Sequence, residues 1–145
     1  MEKIQVKIKS DNCLLPSYAT AGSAAVDLRA ALKEDLLLAA GERALIPTGI
    51  RLAIPDNAVG LVFARSGLAV KHGLQLANGV GVIDSDYRGE IKVGLYNCSK
   101  VDAVVHPGDR IAQLAFMPVF AAQFLPVEEL EETARGTGGF GYTGK

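Results

Sequence analysis

Short runs in which apolar and polar residues alternate one for one, each closed by a proline or glycine turn, constrain this chain more than any other feature. Ile4, Val6 and Ile8 share a parity against Gln5 and Lys7, and Ile91, Val93 and Leu95 share one against Glu90 and Lys92. A period of two gathers the apolar set on one face of an extended strand, which describes a half-buried strand and not a helix. Pro47-Thr48-Gly49, Pro55-Asp56-Asn57 and Pro107-Gly108-Asp109 supply turns between runs, because proline presets φ and glycine accepts positive φ. The runs Arg43 to Ile46, Ile50 to Ile54, Val59 to Phe63, Gly79 to Ile83 and Glu90 to Asn97 then have the spacing of an all-β antiparallel sandwich or barrel. Two short helices are expected beside them. One runs from Ser66 to Lys71 with Ser66 as N-cap, and the other from Val127 to Thr133 with Glu128, Glu129 and Glu131 near its start.

At 145 residues, 49% hydrophobic and 21% charged, the chain has material for one core and no room for a second domain. A net charge of -1 gives no basic field of the kind that holds nucleic-acid backbone, so nucleic acid is not an expected partner and any anion site must be local. Cys13 and Cys98 have neither CxxC spacing nor a histidine motif beside them, which makes free thiols the expectation instead of zinc or a disulfide framework. The start, MEKIQVKIK, reads as a strand and not as a secretory signal. The longest apolar stretch, Leu114 to Ala122, is broken by Pro118 and falls far short of the roughly 20 residues of a membrane span. A soluble cytoplasmic protein is expected, with no membrane partner.

Four internal segments carry chemistry-bearing residues. In AGSAAVDLRA, residues 21–30, Asp27 is an acid inside an apolar strand, hence either paired or functional. In ARSGLAVKHG, residues 64–73, a guanidinium, a hydroxyl and a helix start converge at Arg65, Ser66 and Gly67, a combination suited to an anion but equally to a simple N-cap. NGVGVIDSDYRGE, residues 78–90, reads as a hairpin with Asp84 and Asp86 at its rim, and the absence of side chains at Gly79 and Gly81 would let a ligand approach the strand. PGDRIAQL, residues 107–114, reads as a further hairpin, with Arg110 after the turn and Gln113 in the strand. The last ten residues, GTGGFGYTGK, hold five of the sixteen glycines and cannot pack a core, so a β domain over 1–134 followed by a flexible arm over 135–145 is expected. Although the tail spells G-x-G-x-x-G and most of a P-loop, neither the strand before nor the helix after that those motifs require is present.

Taken together and in this order, these four segments and RGTGGFGYTG at the end resemble the five motifs of the trimeric dUTPase family, over residues 21–143. The resemblance implies a jelly-roll-like β fold and a homotrimer whose active sites combine motifs from different subunits. It also implies hydrolysis of dUTP to dUMP and pyrophosphate with Mg²⁺ carried on the triphosphate. Asp84 falls on the family's general base, and Asp27 on the residue near the metal, acting through water. Arg65, Ser66, Gly67, Gln113 and Arg135 fall on phosphate-binding positions, with Gly141 and Thr143 in the closing tail. Asn78 and the backbone of Val82 and Ile83, with Lys92, fall on the uracil edge, Phe140 over the base, and Tyr87 against the deoxyribose. Ala64 stands where the family often has proline, and Thr143 where serine is common. A dCTP deaminase of the same superfamily is the nearest rival, but such enzymes carry a glutamate where this chain has Gly94. A non-catalytic nucleotide-sensing module on the same fold is the other.

Overall fold

A computed structural model of the chain describes residues 3–11 and 15–139. In chain order its elements are β1 (Lys7–Ser10), β2 (Val26–Arg29), β3 (Leu36–Leu38), β4 (Arg43–Pro47), β5 (Ile50–Ala53), β6 (Ala58–Phe63), α1 (Ser66–His72), β7 (Leu74–Leu76), β8 (Gly81–Ile83), β9 (Lys92–Asn97), β10 (Ala103–Val105) and β11 (Arg110–Pro118). A four-stranded sheet has the order β2-β11-β6-β8 and a three-stranded sheet the order β4-β9-β7. Two ribbons, β1-β5 and β3-β10, complete the set, and every pairing is antiparallel. Among the described residues no strand pairs with its neighbour in sequence; each finds its partner by crossing the molecule, as in a jelly roll.

That winding corrects both expected hairpins. The segment after Asp84 does not fold back on β8: it leaves the four-stranded sheet and enters the other as β9, held by Ile91 N–H donating to Ile50 O at 2.8 Å. The Pro107–Asp109 turn likewise separates β10, paired with β3, from β11, paired with β2 and β6. Turn chemistry marks where the chain reverses but carries no record of which strand receives it. The N-terminal strand begins later than its alternation suggests, at Lys7, with Ile4 exposed and Val6 and Ile8 packed against the core.

The core lies between the sheets. Leu28, Leu38, Ile46, Ile91, Val93, Leu95, Val105, Ile111 and Leu114 are buried almost completely, and the inward parity of β9 is that of Ile91, Val93 and Leu95. Two polar side chains are buried with them. Thr48 Oγ1 donates to Ile91 O at 2.6 Å, while Asn97 donates to Leu38 O at 3.0 Å and Val101 O at 2.8 Å and accepts from the N–H and hydroxyl of Ser99. Asn97 thus fastens the loop into β10 and the end of β3 to the last residue of β9. Asn97→Ala leaves several of these groups without partners, and an urea denaturation series is expected to show a loss of about 2–3 kcal/mol.

The α1 helix is the single helix among the described residues. Its N-cap is Arg65, extended at φ -91° and without a side-chain cap, so Ser66 is the first helical residue and not the cap. Its end is fixed by Gly73, whose φ of 65° suits glycine and where a Cβ would come within 2.7 Å of Ser99 Cβ. The expected helix at 127–133 is absent. Glu128 lies three and four positions from Glu131 and Glu132, a repulsive spacing on a helix, and Val127 and Leu130 are exposed with no surface of their own chain to cover. From Phe120 to Thr133 the chain is an exposed arm without regular structure. No helix among the described residues is long and apolar enough to cross a membrane.

Candidate active site

Register across the four-stranded sheet decides which side chains meet. Asp27 on β2 stands opposite Gln113 on β11, and Gln113 stands opposite Phe63, the last residue of β6. Two residues beyond Phe63 comes Arg65, so the first, second and fourth segments converge at one end of this sheet. Gln113 Nε2 donates to Ala64 O at 2.9 Å, which ties the exit of β6 to β11. Arg65 Nε lies 2.9 Å from one oxygen of Asp27, and Arg110 Nη1 lies 3.3 Å from the other. Arg65 Nη1 also donates to Arg110 O at 3.2 Å.

One carboxylate is therefore held between two guanidinium groups, leaving a local excess of one positive charge where the molecule as a whole is near neutral. The acid in the apolar strand is paired. Both arginines stay partly exposed, and Ser66 and Gly67 are exposed beside them. A Cβ built on Gly67 meets nothing, so the space over the start of α1 is open. An open groove of about 850 Å³ runs along α1 past Arg65, His72, His106, Asp109 and Arg110. A smaller one of about 300 Å³ touches Asp27, Arg29, Thr48 and Arg110. In the larger groove His106 bonds Asp35 at 2.8 Å, and that bond, with the charge of Asp35, raises the imidazole pKa above its ordinary value.

Asp84 is not in this cluster. Since β8 runs against β6 with Ile83 opposite Gly60 and Gly81 opposite Val62, Asp84 leaves the sheet at the end remote from Arg65. Five residues of extended chain separate Gly60 from Arg65, roughly 16 Å. Asp84 itself is exposed, and its carbonyl accepts from the Tyr87 N–H at 3.2 Å. Val82 is exposed and Ile83 half-buried on an outer strand of the sheet, whose far side carries no paired strand among the described residues. Asn78 is exposed in the turn before β8, and Lys92 is exposed in the other sheet opposite Pro47. The two glycines have other reasons than ligand approach. Gly79 holds φ 72°, and a Cβ on Gly81 would lie 3.1 Å from Val62 Cβ. Arg135 is exposed in a turn and donates from Nε to Gly138 O at 2.8 Å. Phe140, Gly141 and Thr143 lie outside the described residues, as does Cys13, while Cys98 is an exposed free thiol.

The family model for dUTPase matches residues 11–144. The chain belongs to the dUTPase family. It is 54% identical to a deoxyuridine 5'-triphosphate nucleotidohydrolase of Desulfitobacterium hafniense, over 99% of both chains, and 49% identical to one of Acinetobacter baumannii with the same coverage. Among solved structures it is similar to a variant of the staphylococcal phage 80alpha dUTPase with dUpNHpp, at a TM-score of 0.89 and 26% identity over 99% of this chain and 100% of that one. The dUTPase of phage phi11, solved as a variant with a structural Mg(II) ion, aligns at 25% identity and a TM-score of 0.79, over 89% of this chain and 100% of that one. Neither the deaminase nor the non-catalytic reading is favoured by these relatives.

For a dUTPase, Arg110 is the residue that sequence reasoning left without a role. Its signal was present, since an acid in an apolar strand calls for a cation, but which arginine answers depends on the register of β2 against β11. The geometry makes it the second counter-ion of Asp27 and a wall of both grooves. No group of three or more His, Cys, Asp or Glu side chains able to hold a metal ion is present among the described residues.

Proposed function

We propose that the chain hydrolyses dUTP to dUMP and pyrophosphate at a site assembled between copies of itself, with Asp84 as the base. The observation that supports this most is the meeting of Asp27, Arg65, Arg110 and Gln113 at one end of a sheet whose other end carries Asp84. Cation and base belong on either side of one reacting phosphorus, and a second chain would bring the two ends of the sheet together there. Asp84 takes a proton from water, the water oxygen attacks the α-phosphorus, and the bond from that phosphorus to the bridging oxygen breaks, releasing pyrophosphate. Arg65, the Ser66 hydroxyl, the Gly67 N–H and the Gln113 amide donate to phosphate oxygens and offset the charge gathering there. As Arg65 turns to phosphate, Arg110 keeps Asp27 neutralised. Mg²⁺ carried on the triphosphate would be held in part by Asp27 through water and would supply further charge neutralisation.

Uracil reads against the free outer edge of β8, where the backbone of Val82 and Ile83 offers fixed donors and acceptors, joined by Asn78 and Lys92. Tyr87 lies against the deoxyribose. The tail over 135–145 closes the site, with Arg135 on phosphate, Phe140 over the base, and Gly141 and Thr143 on the substrate. A homotrimer is the assembly we infer. Phe120, Phe124 and Leu130 on the arm are 96%, 90% and 87% exposed in the single chain, an apolar run that a neighbouring copy would cover. The exposed thiol of Cys98 suits a reducing compartment, the cytoplasm.

Pyrophosphate release from dUTP, dCTP, dTTP and UTP at equal concentration with Mg²⁺ tests the reading. The expected result is a preference for dUTP of about 100-fold or more in kcat/KM. Equal rates on the four would remove it.

A further inference from the structure

Between Asp84 and Ile91 the chain makes a tight excursion whose far end is bolted down. Glu90 Oε1 accepts the Gly49 N–H at 2.8 Å, Ile91 N–H donates to Ile50 O at 2.8 Å, and Ile91 O accepts the buried Thr48 hydroxyl at 2.6 Å. Three bonds thus fix residues 90 and 91 to the turn between β4 and β5. Onto this fixed point the Tyr87 ring folds back, its hydroxyl donating to Glu90 O at 3.0 Å. Gly89 lies beneath the ring. A Cβ built there would come within 2.5 Å of Tyr87 Cζ and 2.9 Å of Cε2, and closer still to the hydroxyl oxygen.

Gly89 does not have the positive φ that favours glycine at Gly49 or Gly73. Its backbone is one that other residues adopt, so the demand for glycine comes from the ring above it. Tyr87 is 44% exposed, and the atoms that a methyl group would strike are at the far end of its side chain. A larger residue at 89 would move the ring outward and leave the anchored backbone in place.

We propose that Gly89 is a specificity-determining residue: by having no side chain it lets the hydroxyl end of the Tyr87 ring lie against residue 89 and reach Glu90 O, and so sets how closely the ring approaches C2' of the bound sugar. This rests on the placement of Tyr87 against the deoxyribose given above. With the ring seated and tethered to Glu90 O, a 2'-hydroxyl meets a surface that cannot retreat. Once the ring is lifted, both the tether and the fixed surface are lost, and ribonucleotide is admitted.

The test is kcat/KM for dUTP and UTP in wild type, Gly89→Ala, Tyr87→Phe, Tyr87→Ala and the Gly89→Ala/Tyr87→Ala double variant. Gly89→Ala is expected to lower the dUTP:UTP ratio about tenfold, chiefly by raising turnover of UTP. Tyr87→Phe, which removes the tether and leaves the ring and Gly89 in place, is expected to lower it about threefold. Tyr87→Ala should lower it at least as far as Gly89→Ala, and adding Gly89→Ala to that background should change nothing more. A wild-type ratio in Gly89→Ala, with Tyr87→Ala relaxed, overturns the role of Gly89. So does an effect of Gly89→Ala that persists in the absence of the ring. An unchanged ratio in Tyr87→Phe overturns the tether, including in the case where Gly89→Ala does not fold. A wild-type ratio in Tyr87→Ala instead overturns the placement of Tyr87 on the sugar.

Discussion

Asp84→Asn is expected to lower kcat by about a thousandfold or more while a non-hydrolysable dUTP analogue still binds within a few-fold of wild type. The substitution replaces one oxygen by an amide nitrogen of similar size, so shape is kept and the ability to accept a proton is lost. Asp84 is exposed at the end of β8, and none of the hydrogen bonds or ion pairs described for its loop uses its side chain. A folding defect is therefore not the expected route to inactivity, and a thermal midpoint near that of wild type should accompany the loss. Pre-steady-state mixing with dUTP separates chemistry from release, and the deficit should lie in the chemical step. A variant that turns over dUTP at a near-normal rate would show that another group takes the proton.

The second large effect comes from combining two inactive proteins. Arg65→Gln removes the guanidinium nearest the open space over α1 and leaves Asp27 with Arg110 alone, so it should be inactive for a different reason from Asp84→Asn. Denaturing the two variants together and refolding the mixture distributes both chains among the oligomers. If a site takes Arg65 from one chain and Asp84 from another, about a quarter of the sites receive both intact residues, and activity returns to about a quarter of wild type from two nearly dead parents. If both residues served a site within one chain, no mixed assembly could contain an intact site and the mixture would stay as inactive as its components. The roughly 16 Å of strand between their levels favours the first outcome. Refolding each variant separately before mixing is the control, and it should recover nothing on the time scale of the assay if subunits exchange slowly.

The all-β class was legible because short runs closed by turns recur along the chain and because Ile91, Val93 and Leu95 alternate and are buried on that parity, whereas β6, AVGLVF, is apolar throughout and its inward face could not be read from its residues. Strands β3, β7 and β10 were not, being three residues each and too short for any period to show. Pairing was also invisible. The sequence places Gly108 and Asp84 beside turns, and turns suggest hairpins, but partner choice here is made by the burial of both sheets and not by proximity along the chain. The site divided in the same way. Asp27 could be recognised as needing a partner from its apolar neighbours Val26 and Leu28, whereas Arg110 could be identified only from the register of β2 on β11. Helix propensity at 127–133 misled because it was judged locally; without a surface of the same chain to cover, four glutamates and two exposed apolar residues have no reason to coil.

That no two consecutive strands pair among the described residues also has a bearing on how the protein is made. On the ribosome β2 is among the first strands to emerge, yet its partner β11 spans residues 110–118, so most of the chain must be synthesised before Asp27 can face Gln113. Strand pairs so far apart in sequence close slowly, because the entropy of the intervening loop is lost before any contact repays it. The corner that joins Asp27, Arg65 and Arg110 is thus among the last parts of the chain to take shape, and a nascent chain stalled before residue 110 carries Asp27 and Arg65 without the strand that brings them together.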